Sequence, residues 1–242
     1  MTILIALTLL SQSQVPVSYE QAAREQIACA PISLPARPTA GLRVISGAVP
    51  GRYLFGPGDG VIVNAGSAQG LQKGQQYFVR RYVHDQFTPM YTGTPSHSVH
   101  TAGWITIVDA KNDLSVATVS HACDGIIEGD YLEPFVDPVY PPAALAGAPY
   151  FDHPGRIVMG DEKRQIGAGN SLMLMNRGTD HDVRAGQTVT IFRETMGGKG
   201  PVLAVGQGTV LSVRPQTSLI RIDGSREAVY LGDLVAIHRI TQ

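Results

Sequence analysis

An internal repeat constrains this chain more than any other feature of its sequence. Residues 61–66 and 70–81 recur, with the same order of residue types, as residues 172–178 and 182–193. The positions that match at a constant offset of 112 residues are Asn64 with Asn176, Gly66 with Gly178, Gly74 with Gly186, Gln75 with Gln187 and Arg81 with Arg193. Self-similarity at a fixed period indicates copies of one structural unit. We therefore expect two copies of one small domain.

The match continues through the second half of each copy. Residues 103–108 align with 208–213, residues 115–119 with 218–222, and residues 129–132 with 232–235. By the last of these matches the offset has fallen from 112 to 103 residues, so the first copy is longer by nine residues. Most of them belong to the segment 84–102. Only the first copy is therefore predicted to have an enlarged loop at this point.

Short strands are predicted throughout both copies. β-branched, aromatic or alternating segments bounded by turn residues are typical of strands, and the first copy has five, at 61–64, 75–81, 103–109, 114–120 and 131–134. Five antiparallel strands are expected to close into a small SH3-like or OB-like barrel, because closure removes exposed strand edges. The predicted fold class is all-β, with two tandem five-stranded barrel-like domains and a short N-terminal helix at 19–28.

The N-terminus has the pattern of an export signal. An apolar run at 3–10 is followed by small residues suited to cleavage after Ser13, although no Lys or Arg precedes the run. A buried N-terminal strand or helix is the alternative. The predicted order is a signal peptide at 1–13, a helix and Pro-rich lead-in within 14–50, the first repeat at 51–136, a Pro-rich linker at 137–154 and the second repeat at 155–242.

The chain has two cysteines, Cys29 and Cys123. In an exported protein an even count indicates a disulfide, and the Cα atoms should then lie about 4.4–6.8 Å apart. In a cytosolic protein they would be two buried thiols. The export signal favours the disulfide and a periplasmic or extracellular location.

Several functional classes have no support in the sequence. The net charge is −1 with no basic run, which argues against nucleic-acid binding, and no apolar stretch approaches the roughly 18 residues of a membrane span. Residues shared by the copies are turn and core types, without a Gly-x-Ser-x-Gly motif, so we expect neither enzymatic activity nor a cofactor. No metal site is predicted. His97 and His100 would lie on opposite faces of a strand, and Cys123, beside His121, is assigned to the disulfide.

The enlarged loop of the first copy is the predicted interaction surface. It combines aromatic rings with imidazoles, a composition suited to sugar stacking or to a protein interface. The candidate residues are Tyr82, Phe87, Tyr91, His97 and His100. Two alternatives remain: the loop could cover the interface between the copies, and the neighbouring Tyr77, Val79 and Trp104 could fill the barrel.

A family resemblance rests on turn and strand motifs in segments 55–59, 64–66, 70–80 and 126–132. In these motifs the chain resembles a bacterial envelope module, similar to the C-terminal domain of flagellar assembly protein T and to modules that accompany LysM peptidoglycan-binding domains. The resemblance implies a periplasmic β-barrel-like module and transfers no site residues. The expected function is an exported, non-enzymatic scaffold or protein-interaction module of the cell envelope. The alternative is a module that binds peptidoglycan or another glycan.

Overall fold

The computed structural model describes residues 19–33, 41–84, 97–141, 147–161, 164–198 and 200–239. The predicted signal peptide lies outside the described residues. One helix, α1 (Tyr19–Cys29), precedes the strands of the first copy, which are β1 (Ile32–Ser33), β2 (Val44–Gly47), β3 (Gly60–Val63), β4 (Gln76–His84), β5 (His97–Ala110), β6 (Ser115–Ala122) and β7 (Tyr131–Pro134). The strands of the second copy are β8 (Ala148–Gly160), β9 (Ile166–Gly167), β10 (Leu172–Met175), β11 (Thr188–Glu194), β12 (Val202–Val213), β13 (Ser218–Ser225), β14 (Val229–Tyr230) and β15 (Leu234–Arg239).

The first copy is a curled sheet with the strand order β2-β3-β6-β5-β4-β7, and β1 adds to the edge of β5. Its two ends meet through backbone hydrogen bonds. The Val44 amide donates to the Asp130 carbonyl at 2.9 Å, and the Gly129 amide donates back to the Val44 carbonyl at 2.8 Å. Apolar side chains from the strands fill the interior, among them Val61, Ile105 and Ile107. The six strands therefore enclose a barrel core.

The second copy is a closed barrel with the order β10-β13-β12-β11-β15-β8, beside which β9 and β14 form a small two-stranded sheet. Its interior is equally apolar, with Met173, Ile191 and Ile220 fully buried. The predicted all-β class with barrel-like domains and an N-terminal helix is confirmed.

Two details of the strand prediction are wrong. Each barrel has six strands where five were expected, because β2 and β8 were not recognised. β2 is a four-residue strand in which only Val44 is buried, so its own pattern is weak. β8 begins at Ala148, inside the segment interpreted as a linker, although that segment contains Pro149 and Pro154. It pairs with both β10 and β15, so long-range pairing makes it a strand despite its prolines.

The two copies repeat the same strand register. Val79 lies opposite Gly103 in the first copy, and Ile191 lies opposite Gly206 in the second, with a bulge directly after each pair. Gly103 therefore corresponds to Gly206, and the alignment of residues 103–108 with 208–213 is wrong by two positions. The offset is therefore already 103 residues at Gly103, so the whole change from 112 residues occurs in the hairpin between β4 and β5.

The length difference between the copies lies in one hairpin. Tyr82 pairs with Val99 in the first copy, and the equivalent pair in the second copy is Glu194 with Val202. These pairs are separated by 17 and 8 positions, which accounts for all nine extra residues. The extra residues lie in the predicted segment, but residues 97–102 of the predicted loop are part of strand β5, and residues 85–96 lie outside the described residues.

The repeated polar residues hold turns and strands together. The Arg81 guanidinium donates two hydrogen bonds to Asp130, both 2.8 Å long, and Arg193 does the same to Asp233 at 2.6 and 2.7 Å. Asp130 also accepts the Ile127 amide at 2.9 Å. Each bidentate pair fastens a barrel strand to the turn before the last strand of the barrel, which is a structural role.

A repeated glycine is required by close backbone packing. A Cβ on Gly66 would lie 2.0 Å from the Lys111 carbonyl oxygen, and one on Gly178 would lie 2.0 Å from the Arg214 carbonyl oxygen. In each copy this glycine precedes a single 3-10 turn. The turn is hydrogen-bonded to the hairpin between β5 and β6 in the first copy and between β12 and β13 in the second. No side chain fits there, which explains why both copies have glycine.

Helix α1 is fastened to the first barrel and packs against the second. Cys29 and Cys123 form a disulfide with a Cα–Cα distance of 5.5 Å, which confirms the predicted bond. On the other side of the helix end, Ile27 and Ala30 contact apolar side chains on the outer surface of the second barrel, including Leu174 and Leu219. The helix therefore lies between the two barrels.

Candidate functional site

An aromatic cluster lies on the outer surface of the first barrel. Tyr77 and Val79 belong to the barrel interior, whereas the neighbouring Phe78 faces outward. The Trp104 ring centroid is 6.4 Å from that of Phe78 and 5.5 Å from that of Phe135, and Phe78 and Phe135 are 4.6 Å apart. The interpretation that Trp104 fills the barrel is therefore wrong, because alternation along β5 turns its ring away from the core.

The imidazole of His121 stacks on Trp104. Their ring centroids are 4.2 Å apart and their planes differ by 8°. His121 lies on β6, directly opposite Trp104 in the sheet. One face of the indole is therefore covered by a neighbour within the protein.

A groove of about 390 Å³ lies between this cluster and helix α1. Trp104 and Phe135 form its apolar part, and polar side chains of α1 and of the chain after β7 surround them. The lining residues are Gln21, Arg24, Glu25, Ala28, Trp104, Phe135, Asp137 and Pro138. Arg24 and Asp137 approach each other to 3.7 Å across the groove. The volume lies within the range of about 300–1,000 Å³ that is typical of sites for small ligands or single side chains.

A buried ionic group supports the cluster from behind. The Arg80 guanidinium lies 4.4 Å from the Phe78 ring centroid, bonds to Thr101 at 2.7 Å and pairs with Glu133 at 2.7 Å. Burial lowers the pKa of Arg80, while the Glu133 carboxylate acts against this shift. Burial, and next the charge of Glu133, raise the pKa of Tyr131 to about 12, so its phenol stays protonated at neutral pH. At neutral pH Arg80 and Glu133 therefore form an ion pair, and the guanidinium of Arg80 packs against the ring of Phe78.

The described residues of the second barrel contain no equivalent of this cluster. The repeated register places Thr190 at the position of Phe78, Gln207 at that of Trp104 and Gly224 at that of His121. Arg80 is replaced by Phe192, which is buried in an apolar contact with Leu234 and Ala236. The aromatic groove is therefore a property of the first copy alone.

The five predicted surface residues are not brought together within the described part of the chain. Phe87 and Tyr91 lie outside the described residues, and of His97 only the backbone, at the start of β5, is described. Tyr82 is half-buried on β4. His100 Nε2 lies 3.2 Å from Asp124 Oδ2, and the Gly125 amide and then this histidine lower the pKa of Asp124. The groove uses different residues, from β5, from the chain after β7 and from α1.

Sequence reasoning missed most of the groove because its parts are far apart in the chain. Gln21 and Glu25 come from α1, Trp104 from β5 and Phe135 from the end of β7. A usable signal was the loss of Phe78 and Trp104 from the second copy, since aromatic residues present in one copy only are not needed for the shared fold.

Three potential metal ligands meet at the disulfide. Cys29, Cys123 and His121 have their sulfur and nitrogen atoms within 4.8 Å of one another. The two sulfurs are bonded to each other, and a disulfide sulfur is not a thiolate ligand. In this oxidised state the cluster is a disulfide beside a stacked imidazole.

Over the residues that the structure describes, the chain is a disulfide-tethered, two-barrel β protein with an aromatic-lined groove beside its first barrel. Comparison with models of protein families and with curated proteins finds no match for this chain. Among the helices that the structure describes, none is both long and apolar enough to cross a membrane.

Proposed function

We propose that this protein is an exported, non-enzymatic interaction module of the bacterial cell envelope, and that the groove between α1 and the first barrel binds its partner. The observation that supports this most directly is the groove itself. Partly exposed aromatic rings lie at its base and hydrogen-bonding side chains lie around them. This is the composition of protein-interaction hot spots, where an apolar anchor is surrounded by polar contacts.

The proposed occupant is an apolar side chain of a partner protein. His121 covers one face of Trp104, so the indole contributes a limited apolar surface and not an open stacking platform. Phe135 and Ala28 add apolar surface to the lining. Arg24, Glu25 and Asp137 bring both signs of charge to the rim, which suits the backbone and side-chain polar groups of a peptide.

Export is supported by the disulfide. Structural disulfides persist in oxidising compartments and are rare in the cytosol. Cys29 and Cys123 are 94 residues apart in sequence, and their bond fixes the helix that forms one wall of the groove. The binding site would therefore depend on the oxidising conditions of the envelope.

A glycan is the second candidate ligand, favoured by one observation. The groove places amide, guanidinium and carboxylate groups next to aromatic rings, a combination that can bind sugar hydroxyls and the apolar faces of sugar rings. Peptidoglycan would be the envelope ligand of that class.

Capture from envelope extract, before and after muramidase digestion, separates the two candidates. The immobilised full-length chain is compared with Phe135→Ala and with Val49→Ala, an exposed apolar control that does not line the groove. We expect a protein partner that survives digestion and is lost, by at least about tenfold, only with Phe135→Ala, since truncated hot spots cost about 2 kcal/mol or more. Equal capture by both variants would reject the groove as the site.

Trp104 provides a direct readout, because it is the only tryptophan in the chain. If purified muropeptides quench or shift the Trp104 emission, and capture disappears after muramidase digestion, then the ligand of the groove is a glycan and not a protein. Muropeptides without effect on the emission exclude the glycan.

A further inference from the structure

Each barrel contains one long hairpin, β4–β5 in the first copy and β11–β12 in the second. The hairpin extends beyond the strand next to it, β6 or β13, so that strand does not pair with the far part of its edge. In the first copy β6 leaves β5 at Ala102, whose carbonyl accepts the Cys123 amide at 2.9 Å. In the second copy β13 leaves β12 at the equivalent Val205, whose carbonyl accepts the Arg226 amide at 2.8 Å. Beyond these points both hairpins need another partner if their outer edge is to be paired.

The first copy has that partner. Strand β1 pairs antiparallel with the free edge of β5, with Ile32 opposite Val99 and Ser33 opposite Ser98. The edge is consequently buried: Val99 is 0% exposed and Ser98 is 6% exposed. A two-residue strand from the lead-in segment is thus sufficient to complete the sheet here.

The equivalent edge of the second copy is open among the residues that the structure describes. The counterparts of Val99 and Ser98 are Val202, which is 49% exposed, and Pro201, which is also exposed. Leu203, which follows Val202 on the same edge, is 44% exposed. No described strand pairs with residues 202–204 on the side away from β11. An unpaired edge with apolar side chains is a template for the addition of another strand.

The surface beside this edge is apolar. Phe192 lies opposite Ala204, and the half-exposed Phe151 rests edge-on against Phe192 with ring centroids 5.0 Å apart. Because side chains alternate along a strand, Val202 and Ala204 share one face with Phe192. A residue placed opposite Val202 by an added strand would extend this apolar face.

From this comparison we infer that the β12 edge at residues 202–204 binds an extended segment of a partner protein by β-strand addition, in the way that β1 completes β5. The segment is uncharged and places a β-branched apolar residue opposite Val202, as Ile32 lies opposite Val99. Main-chain hydrogen bonds supply the affinity in this mode, and the side-chain pocket supplies the selectivity. The edge shares no residue with the Trp104 groove, so each site succeeds or fails by its own test.

The probe is the chain's own edge-pairing sequence, a synthetic peptide of residues 30–36, Ala-Pro-Ile-Ser-Leu-Pro-Ala. It is titrated into the full-length, oxidised chain labelled with ¹⁵N. The first edge is already filled by β1, which the Cys29–Cys123 bond holds in place. We expect saturable amide shifts centred on residues 202–204. A three-residue edge predicts weak binding in fast exchange, for which chemical shifts are a suitable measure.

Two N-methylated peptides test whether the contact is a backbone ladder, and they require no change in the protein. In an antiparallel pair successive amides point to opposite sides, so methylation at the Ile and at the adjacent Ser positions must have unequal effects. We expect one to weaken binding by about tenfold or more and the other by less than about twofold. Equal sensitivity at both positions would overturn strand addition.

Val202→Lys is the complementary protein variant, with Val49→Lys as the control of similar exposure. Lysine on an edge strand is a common protection against strand pairing. We expect Val202→Lys to abolish the shifts at residues 203–204 and Val49→Lys to leave them unchanged. No saturable shift with the unmodified peptide, or shifts centred elsewhere, would overturn the inference.

Discussion

Asp130→Asn removes a charge from the first barrel while preserving side-chain volume. The carboxylate is 2% exposed and accepts three hydrogen bonds, two from Arg81 at 2.8 Å and one from the Ile127 amide at 2.9 Å. The bond to Asp130 is also the main reason that the pKa of Arg81 is raised. An Asn at this position must direct its NH₂ group at one of these donors, so at least one bond is lost along with the ionic attraction.

The expected loss follows from how well Arg81 can be rehydrated. Breaking a buried ion pair costs about 3–5 kcal/mol. Arg81 is 28% exposed and keeps its bond to the Gly125 carbonyl at 2.9 Å, which places the effect at the lower end, at about 3 kcal/mol. For a domain of this size, each kcal/mol lowers Tm by about 4–8 °C, so the midpoint should fall by roughly 12–24 °C.

The duplicated pair provides an internal comparison. Arg193 retains Glu227 at 2.9 Å and the Ala228 carbonyl at 2.6 Å when Asp233 is changed, so Asp233→Asn should cost less than Asp130→Asn. Asp109→Asn serves as the surface control, since its ion pair with Lys111 is exposed and should contribute about 0–0.5 kcal/mol.

Urea unfolding gives the free-energy loss and thermal unfolding gives the change in Tm, both followed by Trp104 fluorescence, because this single tryptophan reports on the first barrel. Far-UV circular dichroism follows both barrels in the same samples. A loss for Asp130→Asn that does not exceed that of Asp109→Asn would refute the structural role assigned to the repeated Arg–Asp pairs.

Three further outcomes are expected. Cys123→Ser should lower the free energy of unfolding by up to about 4.7 kcal/mol, from closure of a loop spanning 94 residues, and unfolding that is unaffected by reductant would contradict this. Gly66→Ala should cost about 2–3 kcal/mol, because its Cβ meets the Lys111 carbonyl, whereas Gly41→Ala, with open space around it, should be near neutral in the same thermal melts. Burial lowers the pKa of His238, so the folded state favours its neutral ring. The free energy of unfolding should therefore fall as the pH drops below about 6.5, and it should fall less for His238→Gln between pH 7 and pH 5. Equal losses for wild type and His238→Gln would contradict the last expectation.

Features encoded in local patterns were predictable from the sequence. Strands β3 to β7 follow from alternating or β-branched segments between turn residues, and the repeat follows from residues such as Asn64 and Asn176. Asn64 Oδ1 accepts the Arg43 amide at 2.6 Å, and Asn176 Oδ1 accepts the Arg156 amide at 2.7 Å. Each copy must satisfy the same backbone amide, so the same side chain recurs.

Features that depend on distant pairing were not predictable in this way. β2 and β8 are strands because partners elsewhere in the barrel complete their hydrogen bonds, and the weak pattern of β2 shows this plainly. The true counterpart of Gly103, which is Gly206 and not Gly208, is likewise visible only from the strand pairing.

The sequence by itself determined that the chain contains two related β units, an N-terminal helix and one disulfide, because repetition, turn residues and cysteine count are local or countable properties. Only the tertiary structure decided that Trp104 faces outward, that α1 lies beside it to form a groove, and that β1 fills one hairpin edge while its counterpart at Val202 stays open among the described strands. These depend on which surfaces of distant segments meet, and period and composition do not specify that.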